Sequence, residues 1–152
     1  MAVMASDAVF IDTNVLVYAN LALSPFHQQA QQQLRRLDEQ DCSLWISRQV
    51  LKEYLSAMTR RSDLTGEIPI ASLVEDVRYF ASYFHVAEEN ASVTERLLDL
   101  SEQVAVGGKQ VHDANIVATM QVYNIPQLLT HNTDDFNRFC QFITVLPLEA
   151  QA

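Results

Sequence analysis

Four acidic residues stand at the ends or on the inner faces of predicted structural elements, far apart along the chain. They are Asp12, Glu53, Asp113 and Asp135. Mg²⁺ prefers oxygen ligands and keeps several of its waters, so a few carboxylates and a substrate phosphate can complete its shell. If one fold gathers these acids, they would suit metal-dependent chemistry on a phosphodiester.

Asp12 follows the apolar run 9–11 and precedes Thr13 and Asn14. On its own, an Asp after a strand is equally compatible with capping the next helix. The neighbouring hydroxyl and amide could fix the orientation of its carboxylate, as groups around a metal ligand commonly do. This arrangement favours a metal-binding role for Asp12.

The acids at 53 and 113 differ in how their predicted helices present them. Glu53 lies beside an apolar stripe, where a solvated acid is ordinary. Asp113 forms an i, i+3, i+4, i+7 set with Ile116, Val117 and Met120, so its carboxylate lies in the apolar stripe itself. A helix N-terminus favours an acid in the first turn but does not explain an inward face. A charge there needs a partner, a metal or a shifted pKa, which favours a functional role.

Asp134 and Asp135 form an acidic pair before Phe136, and one of the two is enough to face a site. His112 is about 100° round its helix from Asp113, so it need not share the site, and an ordinary histidine at a helix start is the favoured interpretation. Three basic side chains are candidates for phosphate contacts, namely Arg48, Lys52 and Lys109.

Length and composition favour one domain over residues 1–152, because 49% hydrophobic residues suffice for a substantial core. The chain has no run of 18 apolar residues and no basic segment followed by an apolar one, so we expect a cytoplasmic protein. The net charge of −9 excludes a strongly basic groove. It is uneven: residues 1–66 carry six Lys/Arg and seven Asp/Glu, and residues 67–152 carry four and twelve. A local positive strip is therefore compatible with the first half.

Strands are predicted to alternate with helices, which favours an α/β fold with a mostly parallel central sheet flanked by helices. The predicted strands are Ala8–Ile11, Ser43–Ile46, Phe84–Ala87, Gln127–Thr130 and Phe142–Leu146. The predicted helices are Val15–Leu23, Phe26–Asp38, one capped by Ser47 and running to about Arg60, Ala71–Tyr83, Ala91–Val104, Val111–Tyr123 and Asp134–Phe139. Ligands of such sheets bind at the carboxyl ends of strands, where Asp12 and Thr130 lie.

Four segments together resemble the PIN-domain family, and most closely the small toxin nucleases of VapBC-type toxin–antitoxin pairs. The segments are Phe10–Leu16, Ser47–Glu53, His112–Ile116 and Leu129–Phe136, in family order and spacing. The resemblance implies a PIN-like three-layer sandwich and a Mg²⁺- or Mn²⁺-dependent ribonuclease. It places metal binding on Asp12 and Asp113, and adds Glu53 and Asp135 to the same quartet. Around the quartet it places Thr13, Asn14, Thr130 and Asn132. The chain has Asn132 where an Asp would fit the pattern, which leaves Asp135 as the family acid and Asp134 as a substitute.

The resemblance also implies an RNA substrate, products with 5′-phosphate and 3′-hydroxyl ends, a cognate antitoxin and a homodimer. One or two metal ions are compatible with the quartet. A second hypothesis is a catalytically inactive PIN-fold binding module for RNA or protein, which the acidic charge favours and the complete quartet does not. A phosphatase with an aspartyl nucleophile would need an Asp-x-Asp pair, whereas this chain has Asp12, Thr13 and Asn14.

Overall fold

The computed structural model describes residues 7–60 and 66–148, and a sheet of five parallel strands lies at its centre. The strand order across the sheet is β3-β2-β1-β4-β5, and all four neighbouring pairs are parallel. The strands are β1 (Ala8–Ile11), β2 (Ser43–Ser47), β3 (His85–Ala87), β4 (Gln127–Thr130) and β5 (Thr144–Pro147). The predicted α/β class with a parallel central sheet is confirmed.

The helices flank this sheet, as the sequence predicted. They are α1 (Thr13–Ala19), α2 (His27–Glu39), α3 (Arg48–Thr59), α4 (Ile70–Tyr83), α5 (Ala91–Gln103) and α6 (Gln110–Val122), followed by a 3₁₀ helix (Thr133–Phe139). Helix α1 packs against α2 and α3, and α3 packs against α4. In a separate group, α5 packs against α6, and α6 packs against the 3₁₀ helix.

The direction in which the chain crosses the sheet reverses between β1 and β4. From β1 the chain moves to β2 and then β3, whereas from β3 it returns past β1 to β4 and continues to β5. Because such crossovers are right-handed, the two groups of helices cover opposite faces of the sheet. The carboxyl ends of β1 and β4 therefore flank a topological switch point, where ligands of open α/β sheets bind.

Two predicted boundaries are wrong, the end of α1 by four residues and the start of β5 by two, and local hydrogen bonds explain both. Helix α1 ends at Ala19, not Leu23, because Asn20 caps it and donates from its side chain to the carbonyl of Leu16 over 2.8 Å. Strand β5 begins at Thr144, not Phe142, because the amides of residues 142 and 143 turn back to the carbonyl of Phe139.

The hydrophobic core covers both faces of the sheet around its central strand, β1. All four residues of β1 are buried, as are the inner faces of α3 and α6. Helix α6 is buried almost all round between positions 116 and 120, so it packs in the interior instead of exposing a polar face. Across residues 7–60 and 66–148, no helix is both long enough and apolar enough to span a membrane.

Candidate active site at the carboxyl ends of the strands

A cavity of about 790 Å³ lies at the switch point, and the four predicted acids all line it. Asp12 directly follows β1, and Glu53 lies in the middle of α3. Asp113 lies in the first turn of α6, and Asp135 lies in the 3₁₀ helix after β4. The fold therefore brings together carboxylates that are up to 123 positions apart in the sequence (135 minus 12).

Asp12 is the most buried of the four, with 7% of its surface exposed, and three hydrogen bonds hold its carboxylate. Its Oδ1 accepts from the backbone amide of Thr13 at 2.8 Å. Its Oδ2 accepts from the Thr130 hydroxyl at 2.8 Å and from the Asn14 amide at 3.2 Å. A carboxylate has about four lone-pair sites, so these bonds leave one direction for a further ligand.

Asn14 connects the ends of β1 and β4. Its amide nitrogen also donates to the Thr130 hydroxyl over 3.2 Å, and its amide oxygen accepts from the backbone of His131 at 3.0 Å. Thr130 is fully buried, so it holds Asp12 in place and offers no surface to a substrate. The sequence correctly predicted that Asn14 would orient Asp12.

The Thr13 side chain has a different partner from the predicted one. Its hydroxyl donates to Oε1 of Glu53 over 3.2 Å, and only its backbone amide binds Asp12. Thr13 thereby links the start of α1 to α3. Helix α3 is itself positioned by Ser47, whose side chain accepts from the amide of Val50 at its N-terminus, as predicted.

Asp135, not Asp134, lines the cavity. Phe136 is 99% buried and anchors the 3₁₀ helix in the core, which determines the acid that turns inward. The charge of Asp135 also raises the pKa of Asp12 and of Asp113. The tertiary structure thus decides between two acids that the sequence left open.

Burial and neighbouring charges raise the pKa of three acids in the cavity, Asp12, Glu53 and Asp113. Burial, and then the charges of Asp12, Asp135 and Glu53, raise the pKa of Asp113 to about 6, against a smaller opposing effect of Arg138. Burial and the charge of Asp12 raise the pKa of Glu53, although hydrogen bonds from Thr13 and Gln49 and the charge of His112 oppose this. Burial raises the pKa of Asp12 despite its three hydrogen bonds.

This donor set matches the chemistry of a hydrated divalent cation. Crowded carboxylates repel one another, and a bound cation would remove that repulsion. Within the described residues, no three Asp, Glu, His or Cys side chains are arranged to enclose an ion by themselves. Mg²⁺ commonly needs only one or two carboxylates, because waters and substrate phosphates supply the remaining ligands. The residues present therefore fit such a cation.

The predicted basic and polar residues lie in three different places. Lys109 and Asn132 line the acidic cavity. Lys52 lines a neighbouring cleft that shares Glu53 and His112 with that cavity. Arg48 lines neither, because its guanidinium pairs with Glu88 over 2.7 Å at an exposed position. The expected phosphate contact of Arg48 does not match this placement.

His112 lines the acidic cavity, contrary to the favoured interpretation of an ordinary histidine at a helix start. One face of α6, with the residue that precedes the helix, lines the cavity: Lys109, His112, Asp113 and Ile116 form an i, i+3, i+4, i+7 set. Sequence reasoning also missed Arg60, the residue directly after α3, which continues the same spacing from Glu53, Ser56 and Ala57. Following the helix face that carries each acid, in both directions along the chain, would have identified both residues. Tyr18, which also lines the cavity, carries no comparable signal in the sequence.

Comparison with known proteins agrees with this geometry. Residues 9–141 match the family model described as the PIN domain. The chain is 29% identical over 133 residues to ribonuclease VapC48 of Mycobacterium tuberculosis, covering 84% of this chain and 89% of that protein.

Solved structures show the same fold. VapC20 of Mycobacterium tuberculosis, described as a sarcin-ricin loop cleaving toxin, superposes with a TM-score of 0.67 at 20% identity, over 91% of this chain and 99% of that one. A toxin–antitoxin complex from Klebsiella pneumoniae gives a TM-score of 0.65 at 20% identity, over 94% and 99% of the two chains. At these identities the likeness establishes the fold.

Proposed function

The chain belongs to the PIN-domain family, and on that premise we propose that it is an endoribonuclease that requires Mg²⁺ or Mn²⁺. We further propose that it is the toxin of a toxin–antitoxin pair and acts on cytoplasmic RNA. Support comes from a relative named as a ribonuclease and from the fold that the chain shares with a structure described as an RNA-loop-cleaving toxin. The resemblance found in the sequence leads to the same activity.

One observation carries the proposal: a single cavity gathers four carboxylates, and burial together with the charges of the other three raises the pKa of Asp113 to about 6. Such crowding lowers the stability of the folded protein, and strongly shifted groups in a cleft are candidates for a functional site. Asp12 and Asp113 would hold the cation, and Glu53 and Asp135 would bind it directly or through water. When bound, the cation would lower the pKa of a water and neutralise charge on the attacked phosphate.

The protein side chains orient the acids and bind the substrate backbone. Thr130 and Asn14 fix the carboxylate of Asp12, and Thr13 fixes that of Glu53. Lys109 and Arg60 line the same cavity and would contact phosphates of the RNA. Because the chain as a whole carries a net charge of −9, these cations would provide local attraction within an acidic surface.

We propose an antitoxin and a second copy of the chain as protein partners. Structures with the same fold include toxin–antitoxin complexes from Klebsiella pneumoniae and Rickettsia felis. Large apolar side chains are exposed on this chain, among them Leu23, Ile70, Tyr79 and Tyr83, and such surface is commonly covered by partners. Sedimentation of the purified protein, alone and co-expressed with the product of a neighbouring gene, would test both proposals.

Cleavage of a pool of structured cellular RNAs by the purified protein tests the activity. We expect cuts with Mg²⁺ or Mn²⁺, none with chelator, and none from Asp113→Asn, whereas Asp99→Asn, an exposed acid on α5 with the same charge change, should cleave normally. Failure to cut in protein shown to bind the metal and to be free of co-purified inhibitor would contradict the proposal. That result would favour the inactive binding module.

A further inference from the structure

A second cleft of about 380 Å³ adjoins the acidic cavity and shares Glu53 and His112 with it. The side chains of Leu97 and Val111 form an apolar part of its lining, and Val111 has 38% of its surface exposed. Lys52, an exposed cation, lines the same cleft. An apolar wall beside a few polar groups and a cation is the composition of a small-molecule subsite.

Hydrogen bonds determine which polar atoms this cleft presents. The Asn115 amide nitrogen donates to Oε1 of Gln49 over 2.8 Å and to Oε1 of Glu89 over 3.3 Å. The Gln49 amide nitrogen donates to the carbonyl of His112 over 3.2 Å, and Gln49 also hydrogen-bonds the carboxylate of Glu53. The donors of both amides are therefore engaged by acceptors of the protein itself.

The chemistry of the partners fixes the orientation of both amides. Carbonyls and carboxylates only accept, so rotating either amide by 180° would place two acceptors face to face. Within the described residues, the amide oxygen of Asn115 and the second carboxylate oxygen of Glu89 have no hydrogen-bond partner, so this part of the cleft presents two acceptors to a ligand. A matching ligand must present adjacent donors.

We propose that this cleft, bounded by Gln49, Lys52, Glu89, Leu97, Val111 and Asn115, binds an unpaired guanine base beside the phosphodiester that is cut. This inference rests on the proposed function, because the RNA would pass from the acidic cavity into the cleft across Glu53 and His112. Guanine presents two adjacent donors on its Watson–Crick edge, the ring N1–H and the 2-amino group. Uracil presents one donor flanked by two carbonyl oxygens, which would face the acceptors of the cleft.

The remaining groups of the cleft fit the other parts of a nucleotide. The face of the base would lie on Leu97 and Val111, since unpaired RNA bases are commonly bound by packing together with hydrogen bonds to their edges. Lys52 would contact the adjoining phosphate. The acceptors Asn115 and Glu89 come from α6 and from the segment after β3, so the fold presets their spacing.

Binding measurements with the Asp113→Asn protein test the proposal without cleavage. The ligands are short uridine oligonucleotides that carry one guanosine, inosine, adenosine or uridine, and the affinity for each is measured. We expect guanosine to bind about 10- to 100-fold more tightly than uridine, as good base-edge pairs discriminate. Inosine, which lacks the 2-amino group, should bind with intermediate affinity. Equal affinity for guanosine and uridine would overturn the guanine pocket.

Variants assign the discrimination to this cleft. Adding Glu89→Gln or Asn115→Leu should bring the guanosine-to-uridine ratio close to one, whereas Glu102→Gln, an exposed acid on α5, should leave it unchanged. A guanosine-to-uridine ratio that persists in Glu89→Gln would contradict the assignment. Because Glu89 is exposed, this substitution does not endanger folding. If the wild-type protein cleaves no RNA, the proposed nuclease activity fails, while the affinity ratio still decides the guanine pocket separately.

Discussion

The hydroxyl of Thr130 donates a 2.8 Å hydrogen bond to Oδ2 of Asp12, although the two residues are 118 positions apart. The bond joins the carboxyl ends of β4 and β1, which are neighbours in the sheet. It lies at the topological switch point, on either side of which the two groups of helices cover opposite faces of the sheet. One buried threonine thus fixes the most buried acid of the cavity.

Replacing Thr130 by Val should therefore impair both stability and activity. The variant leaves a buried carboxylate oxygen with one fewer donor, which costs about 1–3 kcal/mol of unfolding free energy. The same loss raises the pKa of Asp12 further, so the pH profile of cleavage should shift upward. Urea unfolding and cleavage rates across pH measure the two effects. The matched control is Thr119→Val, because that buried hydroxyl donates to a neutral carbonyl and should leave the profile unshifted.

The pKa of Asp113, about 6 in the folded chain against an ordinary value of 3.8, predicts how stability depends on pH. Between about pH 4 and 6 the folded state holds a proton that the unfolded state releases, so the stability of metal-free protein falls as pH rises through this window. Asp113→Asn lacks this penalty. The free energy of unfolding of this variant should exceed that of the wild type by nothing below pH 4 and by about 1 kcal/mol above pH 6. This value allows for solvent screening of a partly exposed group. Urea unfolding in chelator that finds the variant less stable than wild type at pH 7 would contradict this.

Divalent cations should stabilise the wild-type protein. Binding to the folded state alone adds about 2.7 kcal/mol at a concentration one hundred times the dissociation constant. The gain should increase as pH rises through 6, because protons compete with metal for the carboxylates. Thermal unfolding with Mg²⁺ or Mn²⁺ measures it, against monovalent salt of equal ionic strength. A similar gain in stability for Asp113→Asn would show that Asp113 does not bind the metal.

Lys109 and Arg48 should differ in their effect on RNA affinity. Lys109 lines the acidic cavity, whereas Arg48 pairs with Glu88 outside it. Lys109→Ala should weaken binding of single-stranded RNA and reduce the slope of log affinity against log salt by about 0.7, which corresponds to one phosphate contact. Arg48→Ala should leave that slope unchanged. If Arg48→Ala reduced the slope and Lys109→Ala did not, the phosphate contact would belong to Arg48 instead.

Much of the fold and of the candidate site could be predicted because the relevant signals are local. The apolar run 8–11 and the serine at 47 each indicate an element boundary through interactions within a few residues. The periodicity around Asp113 correctly placed it on the same helix face as Ile116, which also lines the cavity. Parallel strands then bring their carboxyl ends to one edge, so the meeting of Asp12 and Thr130 followed from the class of fold.

The sequence by itself determined the α/β class, the family and the four acids, because strand runs, helix periodicity and ordered motifs are written in neighbouring residues. Only the tertiary structure decided that Asp135 instead of Asp134 faces the cavity, that the Thr13 hydroxyl binds Glu53, and that Glu88 draws Arg48 away from the site. Those outcomes depend on which elements pack against one another and at what distance. A side chain selects its partner from groups that the fold brings near, and sequence separation carries no information about that distance.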